Sequence, residues 1–398
     1  MRQVGIVGVG HTKFGRSNVG FLDMAATAAK EALDDAGIKP VKGHGVDQLF
    51  LASMGVGQIN RLSGAASALV DTLNLRPAMA ETVENGPASG ASAVKLGYMA
   101  IASGLADVVV VVGAELMRVL TGWESTDFVA TMSHPEAEYP YGLTLPSFAG
   151  MFTCLYMEKY GATENDLSVV GVKNHENAMH NPVAHIHLVP DLFAITEDED
   201  ANVINPYVAE PLRVYHTCPM SDGAAALVLT ALDTGREFNH APVRIVGIGQ
   251  ATDTHVVAER PDPLDLFAVR ESARMAYEMA GMGPDDIDVA ELHDAFAILE
   301  VVESEEVGFF PRGTGYIAAR EGKTRVGGEK PINTSGGLKA KGHPVGATGV
   351  SQVVEIVRQL RGEAGGRQVE GAKTGMTTNF GGFGNNVVSL IMTTREAR

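Results

Sequence analysis

Cysteine is nearly missing from this chain: among 398 residues only Cys154 and Cys218 occur, far apart and outside any CxxC or Cys/His ligand pattern. That scarcity excludes a disulfide framework and a structural zinc site, and it fits a reducing cytoplasm. Basic charge is also short, with 31 Lys and Arg against 48 Asp and Glu and a formal charge of -17. Such a balance argues against a nucleic-acid-binding surface, although a local basic patch for an anionic ligand is compatible with it. No apolar run reaches the roughly 18 residues of a membrane helix, and MRQVGIVGVGHTKFG does not read as a signal peptide, so neither membrane insertion nor secretion is expected. The N-terminal glycines do not fit GxGxxG with a following acidic residue, and P-loop, HExxH and EF-hand patterns are absent, which argues against a dinucleotide or metal cofactor.

What is present is an alternation of short apolar runs with helical spacing. Val4 to Val9, Val46 to Ala52, Met79 to Val83 and Val108 to Val112 read as strands. Leu22 to Ala36, Gly64 to Leu73 and Ser89 to Ser103 read as the helices between them. The pure valine run predicts a central strand covered on both faces of an α/β fold. Residues 118–215 are richer in Met, His, Pro and aromatics and read as an inserted segment with helices at Leu145 to Tyr160 and Asp166 to Met179. The second half repeats the first in order: RIVGIG (Arg244 to Gly249) echoes QVGIVGVG (Gln3 to Gly10). Likewise INTSGG leading into GHPVGATGVSQVVEIVRQLRG parallels TVENGPASGASAVKLGYMAIASG, and Val387 to Met392 is matched to the valine run. An internal duplication follows, with the two strand-to-helix elbows facing each other.

Four loops carry chemistry-bearing residues: GPASG around Pro87, HDAF at His293 to Phe296, GGLKAKGHPVGATG around His343, and NFGGFG at Asn379 to Gly384. His343, held between Gly342 and Pro344, suits a general base or donor, or else caps its own turn. His293 projects from a strand tip or is simply buried, with Asp294 as a helix cap. NFGGFG offers backbone amides for an oxyanion or makes a close helix-to-strand contact. His175 and His180 stand five apart on a helix, with His185 and His187 beyond, a spacing that does not favour a metal cluster.

Together these loops, with VGIVGVGHTKFG, VKNHENAMHNP and CPMSDGAAALVL, resemble the thiolase superfamily over nearly the whole chain, in the archaeal and bacterial branch related to sterol-carrier-protein thiolases. The resemblance implies a duplicated five-layer α/β/α/β/α core with an inserted loop domain: an N-terminal half over 1–117 and 216–240, the insertion over 118–215, and a C-terminal half over 241–398. It implies a cytoplasmic homodimer acting on an acyl-CoA with no covalently bound cofactor and no metal. By position, His343 resembles the histidine that activates the nucleophile, and His293 the enolate-stabilising group. Asn379 stands where many thiolases carry a second cysteine, Gly381 would supply an oxyanion amide, and Cys218 would be structural. Trp123, Phe128, Met132, Tyr139, Tyr141 and Phe148 are expected to line the acyl pocket.

The elbow departs from the pattern. Where the family usually reads ENACASG, this chain reads ENGPASG, so Pro87 occupies the nucleophile's place; Ala295 replaces the cysteine of HDCF. Proline also lacks the backbone N–H, and losing one oxyanion donor costs roughly 3 to 4 kcal/mol. The expectation is therefore carbon–carbon bond chemistry of the aldol or retro-aldol type through an enolate, without an acyl-cysteine. Cysteine-less relatives of this kind work with a small zinc-ribbon/OB-fold partner. The alternatives are acyl transfer through another residue, with Cys218 as the one plausible thiol, and a non-catalytic acyl-CoA-binding scaffold.

Overall fold

The computed structural model describes residues 1–39 and 45–396. Its first half runs β1 (Val4–His11), α1 (Phe21–Ala36), β2 (Gln48–Ala52), α2 (Ala65–Thr72), β3 (Met79–Val83), α3 (Ser89–Ala102) and β4 (Val108–Glu115). An excursion follows with α4 (Gly122–Ala130), α5 (Leu145–Tyr160), α6 (Glu164–Ala178), α7 (Leu192–Thr196) and α8 (Ala201–Ile204). It closes with a two-stranded ribbon, β5 (Tyr207–Ala209) and β6 (Leu212–Arg213), before the chain returns to the sheet as β7 (Gly223–Ala231). The second half contributes β8 (Val243–Thr252), α9 (Phe267–Ala280), β9 (Val289–Glu291), α10 (Ala297–Glu306), α11 (Gly315–Arg320), α12 (Thr348–Arg361), β10 (Thr374–Gly381) and β11 (Asn386–Thr393).

The strands form one mixed sheet in the order β3-β2-β4-β7-β1-β8-β11-β10-β9. Only Gly5↔Arg244 and Ile6↔Val243 pair between β1 and β8, so this short join links two half-sheets. Each half-sheet has the same plan. From the join outward the first half reads β1, β7, β4, β2, β3, and the second reads β8, β11, β10, β9, with Ile332 bridging Ala290 in parallel where a fifth strand would lie. One sequence match is corrected by this order. Val387 to Met392 (β11) occupies the place of β7, and the counterpart of the valine run in β4 is β10.

Helices α3 and α12 touch each other and both half-sheets, and their apolar faces join one buried cluster with Val94, Ile101, Val353 and Val357 at its centre. Helices α1 and α2 cover the outer face of the first half, and α9 and α10 that of the second. The result is five alternating layers, and the β4 run VVVVVGAE is buried along its whole length as a strand covered on both faces must be. The echo between GIVGVG and IVGIG has a steric cause. A Cβ at Gly10 would lie 2.1 Å from Ala28 O of α1, and one at Gly249 would lie 1.8 Å from Ser272 O of α9. In each half a helix backbone rests directly on a strand that therefore has no side chain there.

At the centre the two elbows meet through glycine. A Cβ on Gly90 would sit 2.8 Å from Gly349 N, and one on Gly349 would sit 2.3 Å from both Ala91 N and the Asn379 Oδ1. Gly349→Ala is therefore expected to lower stability by about 1–3 kcal/mol through overpacking, read as a lower midpoint in urea. An unchanged midpoint would mean that the helix termini can separate without loss.

Candidate active site

The elbow is a tight turn between β3 and α3. Gly86 has φ +53°, and Ala88 N and Ser89 N bond back to Asn85 O and Gly86 O. The Ser89 hydroxyl donates to Gly86 O at 2.6 Å and accepts from Asn85 N at 2.7 Å, which locks the turn from within. Pro87 lies one residue before the Ala88 N-cap of α3. The turn bonds engage its neighbours, so its missing N–H leaves no break in them.

Pro87, His293 and His343 line one cavity of about 370 Å³. Its other walls are largely apolar: Val129 of α4, Leu145 of α5, Phe296, Leu299 and Phe383 among them. Capping boxes at Thr121/Glu124 and Thr144/Ser147 start α4 and α5 and so place these walls. The histidine rings meet edge to face, 5.1 Å between centroids, and His293 stacks on Phe380 at 5.2 Å.

Asn379 accepts a hydrogen bond from Ala91 N through Oδ1 at 3.3 Å, so its Nδ2 is the group facing His293 Nδ1 at 3.2 Å. The amide donates, Nδ1 accepts, and in the neutral ring the proton resides on Nε2. For His343 the network assigns the opposite tautomer. Thr348 Oγ1 donates its one proton to Pro344 O at 3.0 Å and must accept from His343 Nδ1 at 2.7 Å, leaving Nε2 with a lone pair. One imidazole is thus set as a donor and the other as a base. Burial holds both below the ordinary histidine range, His343 down to about 4 with help from Lys341, and His293 further depressed by His343. Both rings are neutral at neutral pH.

Each histidine loop is anchored from behind. His293 N donates to Glu303 Oε2 at 3.0 Å, and burial pushes that carboxyl well above its usual range. His343 N donates to Ser221 Oγ at 3.2 Å. Glu115 accepts from Ser53 Oγ, Met54 N, Gly55 N and Gly346 N, tying the turn after His343 to the end of β4. Asp294 does not cap the helix that follows it, α10, but the single helical turn Gly337–Lys341. It accepts from Leu338 N, Lys339 N and Asn174 Nδ2, joining the two histidine loops, while Phe296 is the N-cap of α10.

Other sequence expectations fall elsewhere. Asn379 and Gly381 lie within β10, not in a loop; Gly381 lines a neighbouring cavity, and Gly382 lines both. Of the six residues expected around the acyl chain only Met132 lines the histidine cavity. Trp123 and Tyr141 are exposed, Phe128 packs with Met54 and Met117, Tyr139 donates to Asp127, and Phe148 stacks on Phe383 in the core. Cys218, expected to be structural, is in the cavity wall beside Ala295, whose O accepts from Cys218 N at 2.9 Å; burial pushes its thiol up to about 12. The signal for this was the run Thr217 to Met220, which bridges to Phe296 and His343 and brings both loops to one wall. In the inserted segment His175 Nδ1 faces Leu188 O and His187 faces Asn181 O, while His185 shares Ser221 Oγ with His343 N. Among the described residues no group of three or more His, Cys, Asp or Glu converges on a metal position.

Residues 4–233 match the thiolase N-terminal domain family, and residues 249–394 match the thiolase C-terminal domain-like family. The chain is 41% identical to an acetyl-CoA acetyltransferase of Methanothermobacter thermautotrophicus, over 96% of this chain and 97% of that one. It is 34% identical to sterol carrier protein 2 of Bos taurus, over 98% of this chain and 72% of that protein. Among solved structures, the Ltp2-ChsH2(DUF35) aldolase superposes with a TM-score of 0.82 at 25% identity, covering 100% of this chain and 99% of that one. The chain belongs to the thiolase superfamily and has the thiolase fold.

The depressed histidines fix a pH dependence. Their folded pKa lies below the ordinary 6.5, so the unfolded chain binds these protons first. The stability tied to their neutral state is complete above about pH 6.5 and is lost as pH falls, for His343 through about 4. NMR of the imidazoles should show His343 neutral at pH 6 and titrating near 4; titration near 6.5 would contradict the buried, neutral pair.

Proposed function

We propose that this protein makes or breaks the carbon–carbon bond next to an acyl-CoA thioester through an enolate, in an aldol or retro-aldol reaction with no acyl group held on the protein. The observation that carries this reading is the opposite tautomers of the two cavity histidines, donor His293 and base His343, facing an elbow that presents Pro87. In the cleavage direction, His343 Nε2 takes the proton of a β-hydroxyl group. The Cα–Cβ bond breaks, its electron pair moves onto the thioester carbonyl, and an aldehyde or ketone leaves. His293 Nε2–H donates to the developing enolate oxygen. The imidazolium of His343 then returns its proton to Cα, giving the shortened acyl-CoA and restoring the neutral ring.

Water would protonate the enolate before addition to a carbonyl, so a largely apolar cavity suits the addition direction. The likeness to the solved Ltp2-ChsH2(DUF35) aldolase supports the same reading, and with it a small partner subunit beside a homodimer of this chain. A second reading, acyl transfer, is favoured by the named acetyltransferase relative and by the position of Cys218 in the cavity wall. A thiol held near 12 is almost wholly protonated at neutral pH, which weighs against it as a nucleophile. A scaffold role has no use for two oppositely set histidines.

Incubation with a panel of β-hydroxyacyl-CoA esters, with and without the product of a neighbouring gene, should release an aldehyde or ketone. His343→Ala should slow release by about 100- to 10,000-fold, the usual contribution of a general base. No release from any ester would overturn the aldol reading. A stable acyl adduct on Cys218 by mass spectrometry would favour acyl transfer instead.

A further inference from the structure

Two cavities meet at the elbow. Pro87 faces the histidine cavity, and Glu84, Asn85 and Gly86 face a second one of about 610 Å³. Met132 and Gly382 line both. Met132 lies over the turn, since a Cβ on Gly86 would be 2.9 Å from its sulfur. A thioester has two arms joined at one carbonyl, and that carbonyl has to reach His293 and His343, so each arm needs its own path.

The two paths differ in chemistry. Val208 and Met220, 45% and 49% exposed, put the edge of the histidine cavity at the surface, and the walls behind them are apolar. The second cavity is far more polar than the first, with Gln58, Glu84, Asp253 and His255 in its wall beside Met54 and Met132. Asp253 has a countercharge in Arg260 at 3.6 Å, whereas Glu84 pairs with no Lys or Arg among the described residues. One Glu84 oxygen accepts from Gly86 N at 2.7 Å, fixing its carboxylate at the cavity wall. A wall with this charge repels the phosphates of coenzyme A, so the thiol arm takes the apolar path and the acyl arm the polar one. Asn385 and Asn386 already bond to protein groups, so an alkyl arm would strip water from Gln58 and from the second Glu84 oxygen and give no hydrogen bond in return.

We propose that the second cavity is the acyl chamber, that Met132 is the partition an acyl arm displaces to enter it, and that it selects arms ending in hydroxyl or amide groups over alkyl and carboxylate ends. Methionine suits the partition because its unbranched thioether swings at little cost. The assignment rests on the acyl-CoA reading of the histidine cavity.

The test is calorimetric binding of CoA thioethers of equal arm length ending in methyl, hydroxyl, amide or carboxylate, with free CoA as reference. The hydroxyl and amide ends should bind tightest and the carboxylate at least about tenfold more weakly, as a like-charge contact requires. Glu84→Gln keeps an acceptor for Gly86 N and should recover most of that factor for the carboxylate end while leaving free CoA unchanged. Met132→Trp should weaken every armed compound by a larger factor than it weakens free CoA. Tightest binding of the methyl end, or a Glu84→Gln variant with unaltered preference, would overturn the chamber while leaving the acyl-CoA reading intact. Failure of free CoA and all four thioethers to bind would overturn both.

Discussion

The geometry of the histidine cavity depends on one side chain placed where the two halves of the molecule touch. Asn379 of β10 reaches α3 of the other half through Ala91 N and turns its amide toward His293. It can do so only because Gly90 and Gly349 let the two central helices approach backbone to backbone. The duplicated architecture is thus coupled to the chemistry through a hydrogen bond that sets a tautomer. A residue with only one polar function could not serve both neighbours. Asn supplies an acceptor to the first half and a donor to the second.

Around that bridge, burial rather than charge pairing sets the electrostatics. Both histidines are held neutral by desolvation, and Cys218 is held protonated by the same cause. Such a site suits a reaction in which charge appears only transiently, on an enolate and an imidazolium side by side. It does not favour a thiolate nucleophile that must carry charge before the substrate reacts.

Much of this was legible in the chain. The valine run announced a doubly covered strand, the paired glycine rhythms announced a duplication, and the loops around Pro87, His293 and His343 converge in space. The mismatches share a physical origin: one-dimensional order does not show which strand is inserted between which neighbours, or which face of a helix meets the cavity. Val387 to Met392 has the apolarity of the valine run but the neighbours of β7. Trp123 and Phe128 surround cavity-lining positions of α4, yet one faces solvent and the other the core, while the small residues Gly122, Ser125 and Thr126 meet the cavity. Asp294 has the composition of a cap for α10 and instead joins two loops, because its acceptors meet amides at Leu338 and Lys339 that are distant in sequence.

In the proposed reaction this site generates an enolate from a thioester without first taking the acyl group. The direct measurement is mass spectrometry of an acyl-CoA incubated with the protein, and any partner subunit, in deuterated water, with the intact protein weighed in the same sample. The account predicts deuterium at the α-carbon and an unmodified protein mass. An acyl adduct on the protein, or an α-carbon that gains no deuterium above the protein-free control, would contradict it.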